Sequence, residues 1–214
     1  MLKKVDGLLK DNSVSSVLLL ISSIVFIFAI PAFDFPTPVI SLVLFSIIIF
    51  LAAYSISKKV VFIGIAAILI EIATRATDFK YIHYLAELFT NLFIIYIVGL
   101  VIKDLLARKN VDIYSLVEAI NGYLLLSIMF IGIVAFCDLY FPGAYNAAGK
   151  TEMELVYYTM ITLTTAGYGD ITPQLPISQS LSMLIAVTGQ FYVAVIVAIL
   201  VGKFSSNTVL TKEE

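Results

Sequence analysis

Charge is the scarcest property of this chain. Only 13% of its 214 residues are Asp, Glu, Lys or Arg, tryptophan is absent, and cysteine and histidine occur once each. A lone Cys137 excludes an intrachain disulfide and reads as a small core residue near a helix end. His83 has no second imidazole to join it at a metal, so it reads as an interfacial residue. There is no Cys/His cluster and no phosphate-binding loop, so nothing points to an enzyme or to a bound cofactor. A net charge of −2 carries no signal for nucleic acid. No polar stretch between residues 14 and 203 is long enough for a separate soluble domain.

What is present is apolar: 61% of the residues are hydrophobic and the mean hydropathy is +1.04. This lies far outside the soluble range and marks one multi-pass integral membrane unit embedded in a lipid bilayer. Lys3, Lys4 and Lys10 precede a run reaching Ile30 with no small-x-small cleavage site, which predicts a retained first span. Breakers and charges divide the rest. Spans are expected near 15–33, where Pro31, Pro36 and Pro38 end the run, and near 39–56, 60–77 and 82–106. A fifth begins after Asn110 and ends near Tyr140; a sixth runs from Pro176 to Lys203, roughly 42 Å of helix. Of the 13 basic residues, ten (Lys3, Lys4, Lys10, Lys58, Lys59, Lys103, Arg108, Lys109, Lys203, Lys212) fall on one side of this arrangement. Arg75, Lys80 and Lys150 fall on the other. The bias places both termini in the cytoplasm.

Between the fifth and sixth spans lies a segment too short to cross. Thr151-Glu152-Met153-Glu154 has the form of a capping box ahead of the apolar run Leu155 to Leu163. A helix there is about 18 Å long, half a bilayer, and enters from outside. Its C-terminal end presents roughly half a negative charge to the membrane centre, where a cation is favoured. The chain then returns through Thr164-Thr165-Ala166-Gly167-Tyr168-Gly169-Asp170, at a depth that tolerates irregular backbone only beside protein or a watery path. Alternate glycines let successive carbonyls turn the same way, and a row of carbonyl oxygens is a ligand set for a dehydrated cation. The motif occurs once, so a ring of ligands needs several chains; the potassium-channel filter with its four TVGYG loops is a general example of that device.

The stretch from Tyr157 to Pro173 resembles the pore helix and selectivity filter of potassium channels. With Gly189-Gln190-Phe191-Tyr192 and Leu200-Val201-Gly202 it is similar to bacterial channel proteins that carry a two-helix pore module. The resemblance covers about residues 112–204. It implies a homotetramer in the inner (plasma) membrane, with K+ as permeant ligand at the carbonyls of Thr165, Ala166, Gly167 and Tyr168 and the Thr165 hydroxyl, and Gly169 completing the filter. It further implies that Thr164 closes the pore helix, that Tyr168 packs against it, and that Tyr157 or Tyr158 donates to Asp170. Gly189 stands at a position of a gating hinge or of close helix packing. Two departures stand out. Ala166 replaces the usual Val or Ile and removes packing behind the filter, and Ile161 excludes the glutamate pairing with Asp170 seen in some members.

Four spans before a pore suggest a voltage sensor, yet the fourth carries no Arg or Lys between Tyr84 and Ile102. Each charge contributes only about 2.3 kcal/mol per 100 mV, so steep voltage gating is not expected. Glu71 and Arg75 are spaced for an i,i+4 pair, as are Glu87 and Asn91; packing near the interface and a functional role both fit.

The expectation is an all-α membrane protein of six transmembrane helices, with a re-entrant pore helix and filter loop between the fifth and sixth, assembled as a tetramer. It divides into a four-helix membrane domain (1–110), a pore domain (111–204) and a short cytoplasmic tail (205–214), with no soluble regulatory domain in this chain. The function expected is passive, potassium-selective conduction without voltage gating. A weakly selective monovalent cation channel is the first alternative; a transporter or non-conducting membrane protein is the second, and no inverted repeat favours transport.

Overall fold

The computed structural model describes residues 12–33, 38–56, 58–75, 80–107, 113–146 and 152–210. Helix α1 (Asn12–Ile24) runs through a π-helical turn (Val25–Ala29) into α2 (Ile30–Phe33); then follow α3 (Pro38–Ile56), α4 (Lys58–Arg75) and α5 (Lys80–Ala107). Helix α6 (Ile113–Tyr140), the short α7 (Glu152–Leu163) and α8 (Pro176–Leu210) complete the order. The described residues contain no β-strand, only a single bridge between Tyr145 and Pro173.

Pro31 does not end the first apolar run. It has no N–H to bond a carbonyl one turn back and its ring crowds that turn. The wide turn at Val25–Ala29 immediately before it absorbs the misfit, as π-bulges do, and the helix continues to Phe33. Pro38 and Pro176, by contrast, open α3 and α8, a position where the missing N–H costs nothing.

The chain forms two compact units, and the division falls inside α6 after Leu125. In the first, α3 packs on α1, α4 and α5, and α4 packs on α5. Small residues set the spacing. Gly64 of α4 faces Ala53, Ile49 and Phe93, and a Cβ built on it would stand 3.4 to 3.5 Å from all three side chains. Ala52, Ala53 and Ala67 are almost wholly buried beside Ile48 and Ile97. Asn121 of α6 donates from Nδ2 to the Ser16 carbonyl at 2.8 Å, which pairs the donor side of a buried amide and leaves its Oδ1 without a partner among the described residues.

In the second unit α7 packs on α8. Two described helices hold segments long and apolar enough to cross a membrane, Ser115–Tyr140 and Pro176–Ile196; the apolar stretches Val14–Ala29, Leu42–Ile56 and Val60–Ile70 are shorter. The side chains of Glu71, Arg75, His83 and Glu87, and Thr151 as N-cap, lie outside the described residues.

Candidate ion pathway at the end of the short helix

Helix α7 holds two threonines in its apolar run and a third, Thr164, follows its last residue, and each hydroxyl is satisfied by the helix itself. Thr159 Oγ1 donates to Leu155 O at 2.7 Å, Thr162 Oγ1 to Tyr158 O at 2.8 Å, and Thr164 Oγ1 to Met160 O at 2.8 Å. The helix ends at Leu163 because the next N–H groups fold back onto its terminal carbonyls, which have no partner further along. Thr164 N–H donates to Met160 O at 3.0 Å, Thr165 N–H to Thr162 O at 3.0 Å, and Gly167 N–H to Ile161 O at 3.1 Å. Thr164 thus stands at the C-terminal end of the helix, its backbone and side chain on the same acceptor.

Beyond it the backbone alternates. Thr165, Gly167 and Gly169 have φ of 59°, 48° and 81°, whereas Ala166 and Tyr168 are not among the positive-φ residues. For the two glycines this conformation is cheap. For a β-branched threonine it is an outlier, of the kind that costs about 1–3 kcal/mol and persists only when its surroundings impose it. With N–H groups turned toward α7, no carbonyl from Thr165 to Gly169 accepts a backbone hydrogen bond among the described residues. Residues 164 to 170 are all exposed in the single chain. Ala166 is among them, and so is Tyr168, which is 75% exposed.

The two tyrosines of α7 part ways. Tyr157 lies on the surface, and its hydrogen bond with Asp170 holds the phenol above its ordinary range, burial adding to the effect. Tyr158 is buried and does not reach Asp170; its hydroxyl bonds Ser182 of α8, and its ring tilts against Tyr145 with centroids 4.9 Å apart. Burial likewise pushes the Tyr145 phenol upward.

The segment after Asp170 is laced to the loop that follows α6. Asn146 N–H donates to Thr172 O at 3.2 Å, Thr172 N–H to Asn146 Oδ1 at 2.6 Å, and Gln174 N–H to Ala144 O at 2.8 Å. Ser178, three residues into the start of α8, accepts from Leu175 N–H at 3.1 Å and reaches Ala144 O at 2.7 Å. This is one half of a capping box, and it fixes where α8 begins.

Helix α8 then passes the end of α7 at Gly189. A Cβ built there would stand 2.1 Å from Leu163 O and 3.0 Å from Leu163 C, both backbone atoms. Close approach therefore accounts for this glycine, and α8 continues through it from Pro176 to Leu210. The next residue supplies a contact that sequence reasoning did not assign: Gln190 Nε2 donates to Thr165 Oγ1 at 2.8 Å. Its only sequence signal was its place beside Gly189. Among the described residues there is no group of three or more His, Cys, Asp or Glu able to hold a metal ion.

The arrangement offers unclaimed backbone oxygens at a helix C-terminus, in a segment bordered by two apolar helices. Chemically it suits a desolvated cation and has nothing for an anion. Residues 122–206, which include α7, the following loop and most of α8, match a family model described as an ion channel. No curated protein and no solved structure matches the chain.

Proposed function

We propose that the ion-channel domain of residues 122–206 is a passive, potassium-selective pore, formed by four copies of the chain around the row of carbonyls from Thr165 to Tyr168. The observation that carries this reading is the alternation of φ at Thr165, Gly167 and Gly169. It leaves the carbonyls unclaimed while the N–H groups of Thr165 and Gly167 are spent on α7. Unpaired carbonyls are not tolerated against lipid, and one chain supplies one row, so several chains facing a common watery axis complete the ligand set. The apolar runs and the basic bias support six crossings and cytoplasmic termini, and the resemblance to bacterial channel proteins implies a place in the inner membrane. The absence of Lys and Arg between Tyr84 and Ile102 supports conduction without steep voltage dependence.

The test is potassium flux into liposomes holding the purified full chain, native against Gly167→Ala. Alanine at a left-handed position costs about 1–2 kcal/mol in every subunit, so flux should fall sharply. Equal flux through both would remove the filter reading. Weak discrimination among monovalent cations is the second reading, favoured by the small, exposed Ala166. A reversal potential near zero in opposed potassium and sodium gradients would select it.

A further inference from the structure

Thr165 is the one residue of the alternating segment whose conformation its own side chain opposes. The glycines at 167 and 169 accept positive φ freely; a β-branched residue at 59° does not. Something outside the segment has to hold it. Its N–H bonds Thr162 O, and its hydroxyl accepts from Gln190 Nε2 at 2.8 Å, across 25 residues of sequence. Gln190 is delivered there by its neighbour, because Gly189 lets α8 lie directly on the Leu163 carbonyl.

We propose that Gln190 is a positioning residue of the conduction path. Its amide fixes the Thr165 side chain from α8, and so sets the ion ligands at the α7 end of the filter. This rests on the filter reading above and extends it to a residue outside the TTAGYGD segment. A threonine hydroxyl has two lone pairs and one proton. The amide N–H occupies one lone pair and stops the hydroxyl from rotating freely, which leaves the second lone pair, with the Thr165 carbonyl, for a cation. A glutamate could not replace this donor, because a carboxylate only accepts. The same bond couples the helix to the filter: a displacement of α8 that separates residues 190 and 165 releases the strained threonine.

The experiment compares the full-length native chain with Gln190→Met, which keeps the volume and loses the donor, and with Thr165→Val, Thr165→Ser and the Gln190→Met/Thr165→Val pair. Reversal potentials in liposomes under opposed potassium and sodium gradients give the permeability ratio. Gln190→Met should lower the ratio about fivefold, as expected for one ordinary side-chain hydrogen bond, and Thr165→Ser, which keeps the hydroxyl, should stay near the native ratio. Thr165→Val should lower it as well, and the pair should be no worse than Thr165→Val alone. A native ratio in Gln190→Met, or a pair whose loss is the product of the two single losses, would overturn the inference. Should Gln190→Met fail to assemble, Thr165→Val breaks the same bond from the other end, and a native ratio there has the same meaning. A native chain with no potassium preference removes the filter reading itself, whatever the variants do.

Discussion

Helices α6 and α8 are alike in sequence and unlike in place. Both are long and apolar enough to cross a membrane, yet 67% of the most apolar window of α6 is buried within the single chain and only 17% of that of α8. The side chains of Val134 and Cys137 on α6 are covered. Phe191, Met183, Leu184 and Val187 on α8 are between 50% and 66% exposed. An apolar run of this length reports the need to leave water, not what covers it. Helix α6 meets that need within its own chain. Helix α8 spends its few covered positions, Ile185, Gly189 and Tyr192 among them, and leaves the remainder to lipid or to further copies, as a bare patch of this kind implies.

The sharpest way to test this contrast is at the inward positions of α8. Gly189→Ala sets a methyl group against a backbone carbonyl that cannot turn aside. It should cost more than about 3 kcal/mol, beyond ordinary overpacking, and show as loss of folded protein in a thermal melt in detergent. Gly202→Ala, on the same helix with nothing within 4 Å, should melt near the native temperature. On α6, Val134→Ala removes a fully covered side chain and should cost about 2 kcal/mol by the same melt. Phe191→Ala should leave the melt of the protomer almost unchanged and lower the oligomeric fraction in size-exclusion chromatography. A reversed order for Val134 and Phe191 would break the contrast. The smallest effect belongs to Tyr157→Phe, which removes one exposed hydrogen bond to Asp170. It should leave the melt near the native temperature and change potassium flux modestly.

Most helix limits were legible because they are written in local chemistry. Pro38 and Pro176 open helices, and the apolar run from Leu155 stops at Leu163 before a glycine-bearing segment. Gly167 and Gly169 announced left-handed backbone. Thr165 did not, since a β-branched residue rarely adopts that conformation, and the side chain that bonds its hydroxyl, Gln190, lies 25 residues away. The same holds for Tyr158, whose partners Ser182 and Tyr145 come from either side along the chain. The helix passes Pro31 and ends at Phe33, within the expected span of 15–33; what was illegible is the wide turn at Val25–Ala29 that accommodates the proline, because it depends on backbone geometry upstream. Gly189 offered two meanings, and only the position of Leu163 O supplied a spatial reason for one of them.

The self-bonded threonines of α7, with the one that follows it, bear on how such a chain enters a membrane at all. A hydroxyl carried into hydrocarbon without a partner costs several kcal/mol, and three of them would argue for keeping the short helix in water until a neighbour arrives. Thr159, Thr162 and Thr164 each carry their acceptor with them, one turn back on the same helix. Measured by what it asks of its surroundings, α7 partitions as though alanine stood at those positions. Those three hydroxyls therefore leave water without waiting for a partner from elsewhere in the chain.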